Sequence, residues 1–311
     1  SAQARKSCSK HARNAMVAHV LATCASYCYA DLDTVAMMMT RLGMDGCGCV
    51  RVEQSVDAMY VFSTAYLLQS RCGRVVILCY RGTEPTNLGS WLGDADAGTE
   101  RLARTATTGE ATLAVHRGFY RNFRATHWQV LQELALASNG RQLADPNEKV
   151  DRPLEALYVT GHSLGGAMAI LFALTTEPAQ LRAVYTFGQP MVVAGTLPVS
   201  AEAASPKIVR HVMPGDPVPA LPPAAWGDYA HIGHEYRYSA GEWTLAPEAT
   251  APMPNLREIP RSVLALFSAG ATRKSTRKSS GKTVRYAIDA HPPHRYLDVL
   301  RPAGRLTEFG D

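Results

Sequence analysis

A serine flanked by two glycines stands where an apolar strand is predicted to meet a helix. Ser163 lies in the run Gly161-His162-Ser163-Leu164-Gly165, between the apolar segments 156–159 and 167–174. A sharp strand-to-helix turn would lift the serine hydroxyl above the sheet, and the glycines would let backbone and helix pass close to each other. The N-terminus of the helix would place the N–H of Leu164 at a developing oxyanion. This pattern predicts a nucleophilic serine at residue 163.

A serine hydroxyl is a weak nucleophile, so it needs a histidine that takes its proton and a carboxylate that orients the histidine. Asp216 comes just after an apolar strand predicted over residues 208–212. Catalytic loops in open α/β sheets lie at such strand ends, which favours Asp216 as the orienting acid. Asp216 also precedes Pro217, and a turn-forming aspartate is the alternative interpretation of the same residue.

Two histidines further along the chain compete for the role of the base. His291 precedes Pro292, and the residue before a proline favours an extended conformation, so His291 is expected on a loop. Pro292 and Pro293 suit the first turn of a helix that would contain His294. The packing face of that helix would be Tyr296, Leu297 and Leu300. We predict His291 as the base and keep His294 as the alternative.

Four other histidines receive structural interpretations. His116, His231 and His234 are expected to be buried or half-buried residues with satisfied hydrogen bonds. His162 neighbours the nucleophile, but consecutive residues at such a turn point apart, so its side chain is expected to point away from the site.

The elements that must position these residues alternate between strands and helices. Strands are predicted over residues 58–62, 74–80, 156–159, 184–187 and 208–212, and helices over residues 15–30, 118–139 and 167–174. Because no internal repeat or composition break precedes about residue 239, this order predicts one α/β domain over residues 1–311. Residues 240–285, rich in Pro and then in Lys and Arg, are predicted to be an excursion from that domain.

Composition agrees with one large folded domain. The chain has 311 residues, 46% of them hydrophobic and 19% charged, which excludes a disordered or low-complexity protein. The longest candidate membrane stretch, residues 15–30, contains His19, Thr23 and Ser26 and is shorter than the roughly 20 residues of a spanning helix. Its apolar residues recur at helical spacing, which favours an amphipathic helix over a secretion signal.

The cysteines give no indication of a metal site. Seven cysteines cannot all pair, so at least one thiol is free. Cys47 and Cys49 are too close together for a zinc pair, which needs at least two residues between its cysteines.

Basic residues are concentrated in one segment. The net charge is +5, and residues 271–285 hold six basic side chains and no acidic one. This strip could meet an anionic membrane surface. A solvated flexible loop is the alternative, which its Ser and Gly content favours. Nucleic-acid binding is not predicted. The strip residues considered for the membrane contact are Arg273, Lys274, Arg277, Lys278 and Lys282.

Several segments, in matching order between about residues 58 and 300, resemble the class 3 lipases, the fungal-type lipase family of the α/β-hydrolase fold. Ser90 replaces the asparagine that this family has in its lid segment. The segments are Tyr80-Arg81-Gly82-Thr83, Ser90-Trp91-Leu92-Gly93-Asp94, Val115-His116-Arg117-Gly118-Phe119, Gly161-His162-Ser163-Leu164-Gly165-Gly166-Ala167, Thr186-Phe187-Gly188-Gln189-Pro190 and Asp216-Pro217-Val218-Pro219-Ala220-Leu221-Pro222-Pro223.

The resemblance implies a fold and a set of roles. The fold would have a mostly parallel central sheet flanked by helices, with a mobile lid over residues 84–97. Ser163 would be the nucleophile, Asp216 the acid and His291 the base, and no cofactor would be required. The oxyanion donors would be Thr83 and Leu164, and Asp94 would hold the Thr83 hydroxyl. The apolar face of the lid would be Leu88, Trp91 and Leu92.

The resemblance also implies a serine ester hydrolase that cleaves acyl esters of lipids, such as triacylglycerol, through an acyl-enzyme. A phospholipase A and a hydrolase of short soluble esters are alternatives that use the same residues. Transfer of the acyl group to an alcohol is a further alternative, and a hydrolase-like protein that binds lipid without turnover belongs to a different class. Secretion or peripheral attachment to a membrane is expected over a cytoplasmic location, which is the alternative.

Overall fold

The computed structural model describes residues 15–44, 46, 48–59, 61–83, 98–106, 109–176, 178–195, 205–222, 226–246, 274–279 and 282–304. Arg273 and the predicted lid lie outside the described residues. The lid side chains concerned are Leu88, Trp91, Leu92 and Asp94.

The described ranges contain five α-helices and sixteen strands. The helices are α1 (Ala15–Tyr27), α2 (Leu32–Arg41), α3 (Arg117–Ser138), α4 (Leu164–Thr175) and α5 (Pro293–Leu300). The strands are β1 (Gly48–Val56), β2 (Val61–Gln69), β3 (Val75–Tyr80), β4 (Thr99–Ala106), β5 (Gly109–His116), β6 (Arg141–Gln142), β7 (Asp145–Lys149), β8 (Ala156–His162), β9 (Leu181–Phe187), β10 (Val193–Ala194), β11 (Ile208–Val212), β12 (Tyr229–Ala230), β13 (His234–Ser239), β14 (Glu242–Leu245), β15 (Lys274–Ser279) and β16 (Lys282–Ala287).

Eight of these strands form the central sheet, in the order β1-β2-β3-β8-β9-β11-β13-β14. The five strands from β3 to β13 run parallel to one another, and the strands at both edges are antiparallel. A smaller antiparallel sheet has the order β12-β10-β5-β4. The predicted mostly parallel sheet with flanking helices is therefore confirmed.

Helices cover both faces of the central sheet because its inner strands are apolar on both sides. In β2, Ala65 and Leu67 face the layer of α3 and α4, whereas Tyr66 and Leu68 face α1, α2 and α5. This alternation follows from the two-residue period of a strand, and strands buried on both faces read as continuous apolar runs. Helix α4 is buried from Leu164 to Leu174, which explains its almost uninterrupted apolar sequence.

Most predicted elements are found within a few residues of their expected positions, but the strand predicted over residues 58–62 is wrong. Residues 57–59 form a 3₁₀ turn, and the strand that follows runs from 61 to 69. The apolar pattern does not predict this strand in full, because the polar residues Ser63 and Gln69 are buried in β2. Ser63 Oγ is 2.9 Å from Thr126 Oγ1, and Gln69 Nε2 donates to the carbonyl oxygen of Arg141 over 2.9 Å.

The predicted excursion contains regular structure. Strand β14, over residues 242–245, pairs with β13 at the edge of the central sheet. The loop interpretation of the basic strip is wrong, because β15 and β16 pair as an antiparallel hairpin that carries Lys274, Arg277, Lys278 and Lys282. Among the described helices, none combines the length and the apolar character that crossing a bilayer requires.

Gly165→Ala is expected to lower the free energy of unfolding by more than about 2 kcal/mol. The added methyl group would lie 2.1 Å from the carbonyl oxygen of Tyr80, a backbone atom that cannot rotate away. Gly48→Ala is the matched control, because its methyl group would meet no atom closer than 3.6 Å. Urea denaturation of both variants measures the difference, and equal stabilities would contradict the close approach of α4 to β3.

Candidate active site

Ser163 occupies the turn that joins β8 to α4. Its backbone has φ 58° and ψ −128°, a left-handed conformation that costs a residue other than glycine on the order of 1–3 kcal/mol. The turn is tied to the sheet, since the N–H of Ser163 donates to the carbonyl oxygen of Phe187 over 2.9 Å at the end of β9. The predicted strand-to-helix elbow is present, and the serine side chain stands at its apex.

Ser163, His291 and Asp216 are hydrogen-bonded in series. His291 Nε2 lies 2.9 Å from Ser163 Oγ, and His291 Nδ1 lies 2.9 Å from Asp216 Oδ2 and 3.0 Å from Oδ1. All three residues are buried: the exposed fraction is 0% for Ser163, 1% for His291 and 4% for Asp216. Because the carboxylate only accepts hydrogen bonds, Nδ1 of a neutral His291 carries the hydrogen and Nε2 is left to accept the proton of the serine hydroxyl.

Two further groups hold the carboxylate of Asp216. The N–H of Val218 donates to Oδ1 over 2.9 Å, and the hydroxyl of Tyr296 donates to Oδ2. The same hydroxyl accepts the N–H of Met213 over 3.2 Å. Burial, together with the charge of Asp216, holds the pKa of Tyr296 well above its usual range. Tyr296 therefore remains a donor to the carboxylate.

The helical spacing of residues 296–300 predicts only a packing role for Tyr296. Its ring is buried with Leu297 and Leu300, as predicted, but its hydroxyl reaches Asp216 across 80 residues of chain. The signal that could have indicated this is the polar hydroxyl on an otherwise apolar helix face, because a buried tyrosine hydroxyl needs a partner.

The structure separates the two candidate bases. His291 lies on the loop before α5 and faces Ser163, whereas His294 lies in the first turn of α5 and is exposed. The hydrogen bonds to Ser163 and Asp216 are made by His291.

Of the two predicted oxyanion donors, Leu164 directly follows the nucleophile and Thr83 follows a glycine that approaches it. Leu164 is the first residue of α4, and the first N–H groups of a helix have no partner within the helix. Thr83 is half-buried and follows Gly82, whose Cα approaches the elbow so closely that a Cβ there would lie 3.3 Å from Ser163 Cβ. The end of β3 and the start of α4 thus meet at Ser163.

Two of the remaining histidines make structural contacts, although among the described residues the buried Nδ1 of His231 has no hydrogen-bond partner, so its expected satisfaction is only partial. His116 caps α3, because its side chain accepts the N–H of Phe119, and its ring stacks on that of Phe119 with centroids 4.2 Å apart. His231 Nε2 donates to the carbonyl oxygen of Pro219 over 2.8 Å, and burial lowers the pKa of His231 to about 3. The expectation for His162 is wrong, since its ring lies 4.5 Å from that of His291, centroid to centroid.

Comparisons with known proteins agree with this architecture. The family model described as Lipase (class 3) matches residues 77–226, a range that includes Thr83, Ser163 and Asp216 but not His291. Secreted mono- and diacylglycerol lipase 1 of Fusarium solani is 26% identical over 230 residues, which cover 70% of this chain and 61% of that protein. The lipase of Rhizomucor miehei is 34% identical over 128 residues, which cover 39% of this chain and 32% of that protein.

The chain therefore spans less than two thirds of the length of these relatives. Among solved structures, lipase II from Rhizopus niveus aligns with a TM-score of 0.50 and 23% identity, covering 72% of this chain and 80% of that chain. The fold is that of the α/β-hydrolases. Residues 77–226, which carry the elbow and the strand end beside it, are thus similar to the class 3 lipases.

Proposed function

We propose that this chain is a serine ester hydrolase that cleaves acyl esters of lipids, with acylglycerols as its substrates. One observation carries the proposal: a buried imidazole stands between a serine at a strand-to-helix elbow and a carboxylate, with 2.9 Å to Ser163 Oγ and 2.9 Å to Asp216 Oδ2. This is the arrangement that turns a serine hydroxyl into a nucleophile.

The proposed reaction has two stages. Ser163 Oγ attacks the ester carbonyl carbon while His291 Nε2 takes the hydroxyl proton, and the resulting oxyanion is stabilised by the donors at Thr83 and Leu164. His291 then gives the proton to the leaving alcohol oxygen as the ester bond breaks, which leaves an acyl-enzyme. Water attacks the acyl-enzyme, His291 takes a proton from that water and returns it to Ser163, and the carboxylic acid leaves. Asp216 orients His291 throughout.

Relatives support the substrate class. The Fusarium solani relative is named as a mono- and diacylglycerol lipase, so partial acylglycerols stand beside triacylglycerol as proposed substrates. A phospholipase A and a hydrolase of short soluble esters use the same residues and remain the alternatives. The same relative is named as secreted, which supports secretion as the localisation of this chain.

Ser163→Ala and His291→Ala are each expected to lower kcat by about ten thousand-fold, because members of a triad act as a unit. His294→Ala is the matched control, since its side chain is exposed on α5, and it should keep at least about a tenth of the activity. Hydrolysis is measured on triolein, diolein and monoolein, beside phosphatidylcholine and p-nitrophenyl acetate.

Stoichiometric labelling by a fluorophosphonate gives a second readout and should disappear in Ser163→Ala. A wild-type chain that is folded but neither labelled nor active on any of these esters would overturn the proposal in favour of lipid binding without turnover. Preference for phosphatidylcholine or for p-nitrophenyl acetate would instead select one of the alternative hydrolases.

The proposal includes the lid with its apolar side chains Leu88, Trp91 and Leu92. Its support is the burial of the nucleophile, because a side chain with no exposed area cannot reach a lipid without opening. Activity on an ester such as tributyrin is therefore expected to rise sharply once the substrate exceeds its solubility limit, as apolar area exposed by opening becomes buried in lipid. A hyperbolic dependence of rate on concentration through that limit would count against the lid.

The basic hairpin β15–β16 is proposed to contact anionic membrane surfaces. Neutralising Arg273, Lys274, Arg277, Lys278 and Lys282 together should weaken binding to vesicles that contain phosphatidylserine at low salt, with each charge contributing at most about 1 kcal/mol. Turnover of p-nitrophenyl acetate should stay unchanged. Equal binding of the natural chain to neutral and anionic vesicles, measured by sedimentation, would refute this contact.

A further inference from the structure

His162, next to the nucleophile, uses both ring nitrogens although the proposed reaction gives it no role. Its Nε2 lies 2.7 Å from the carbonyl oxygen of His291, and its Nδ1 lies 2.9 Å from the hydroxyl oxygen of Tyr29. The side chain is buried, with 1% of the residue exposed. His162 thus connects the backbone of the catalytic base with a tyrosine that follows helix α1.

The donors and acceptors of this connection follow from chemistry. A carbonyl oxygen only accepts, so Nε2 of His162 must carry a hydrogen. Burial, with the nearby His291 as a further cause, holds the pKa of His162 well below its usual range, so the ring is neutral and carries one hydrogen. Nδ1 therefore accepts, and the hydroxyl of Tyr29 donates to it. The chain of hydrogen bonds runs from Tyr29 through His162 to the carbonyl of His291.

Tyr29 also contacts the strand end that precedes Thr83. A Cβ on Gly82 would lie 2.3 Å from the Tyr29 hydroxyl oxygen and 2.5 Å from the carbonyl oxygen of His162. The guanidinium carbon of Arg81 lies 5.7 Å from the centroid of the Tyr29 ring, on its face. Tyr29 is therefore in contact with the end of β3 and, through His162, with the elbow and the loop of the base.

The loop that carries His291 has few donors of its own to hold it. Pro292 and Pro293 have no backbone N–H, so neither residue can donate a backbone hydrogen bond next to the base. The bond from His162 Nε2 fixes the carbonyl of His291 itself. From helix α1, Ser26 Oγ donates to the carbonyl oxygen of Pro293 over 3.3 Å.

We propose that Tyr29 and His162 are positioning residues that hold the backbone of His291, so that its imidazole stays within reach of both Ser163 and Asp216. In this proposal they act through the carbonyl group of His291 and not on the substrate. The kinetic part of this inference rests on the proposed hydrolase function. The tautomer and the direction of the hydrogen bonds do not, since they concern the resting protein.

Two amide substitutions at residue 162 separate the two hydrogen bonds. The amide nitrogen of Gln reaches the place of Nε2, so His162→Gln keeps the donor to His291, whereas His162→Asn is too short to donate there. On p-nitrophenyl acetate, His162→Asn should lower kcat by about tenfold to a hundredfold with KM changed less than about twofold. His162→Gln should recover most of kcat. Tyr29→Phe should lower kcat by about threefold to tenfold, because it removes the hydrogen bond that holds the His162 ring from its other side.

Tyr66→Phe is the matched control. The Tyr66 hydroxyl donates to the carbonyl oxygen of Ala30 over 2.9 Å, so this variant loses a tyrosine-to-carbonyl bond next to Tyr29 without touching the chain to His291. It should lose stability to a similar extent as Tyr29→Phe in urea denaturation and keep kcat. Loss of kcat in Tyr66→Phe equal to that in Tyr29→Phe would reduce the role of Tyr29 to general stabilisation and overturn the proposal.

The ring nitrogens of His162 provide a test without any ester. Nitrogen-15 NMR of the uniformly labelled chain should show His162 as the neutral Nε2–H tautomer at pH 6. In Tyr29→Phe the tautomer should be kept, and the Nδ1 signal should shift because that nitrogen loses its hydrogen bond. An Nδ1–H tautomer or a charged ring in the natural chain would overturn the inference even if the enzyme is active. Should no ester be hydrolysed, the proposed function fails, whereas the NMR result still decides the hydrogen-bond direction. Equal kcat values for His162→Asn and the natural chain would contradict positioning.

Discussion

One imidazole ring that must face two partners at once is the constraint on which the rest of this structure depends. His291 points one nitrogen at Ser163 and the other at Asp216, and rates fall steeply when such groups are misplaced by even 1 Å. The serine and the aspartate follow different parallel strands, whose carboxyl ends meet at one edge of the sheet. The N–H of Gly188 donates to the carbonyl oxygen of His211 over 3.0 Å, which ties β9 to β11 at this edge.

Burial makes this arrangement costly in free energy and restricts the orientations of its side chains. An ionised carboxylate inside a protein is stable only when its oxygens are satisfied, and Asp216 receives hydrogen bonds from His291, Val218 and Tyr296. The low dielectric of the interior strengthens each of these bonds and penalises the loss of any one of them. The carboxylate therefore has one orientation, and it imposes that orientation on the imidazole.

Local patterns predicted the parts of the site that depend on neighbouring residues. Each of these parts depends on a backbone preference that a short run of sequence indicates. They are the elbow around Ser163, the strand before Asp216 and the proline after His291. Residues that contact each other but lie far apart in the sequence leave no such pattern. Tyr29 lies 133 residues from His162, and nothing in the run around Tyr29 distinguishes it from a residue that only packs. Strand β2 escaped prediction for the same reason, because Ser63 and Gln69 are buried with partners distant in sequence.

The triad is assembled from elements that are held in different ways. Ser163 and Asp216 follow β8 and β11, and each of these strands is hydrogen-bonded to a neighbouring strand on both sides. His291 precedes α5, which belongs to no sheet and depends on side-chain packing against α1 and the sheet face. Local opening of a segment that is held by side-chain contacts costs less free energy than opening of a central sheet. The base is therefore the least firmly held member of the triad, and the hydrogen bond from His162 to its carbonyl acts where the backbone has no sheet to support it.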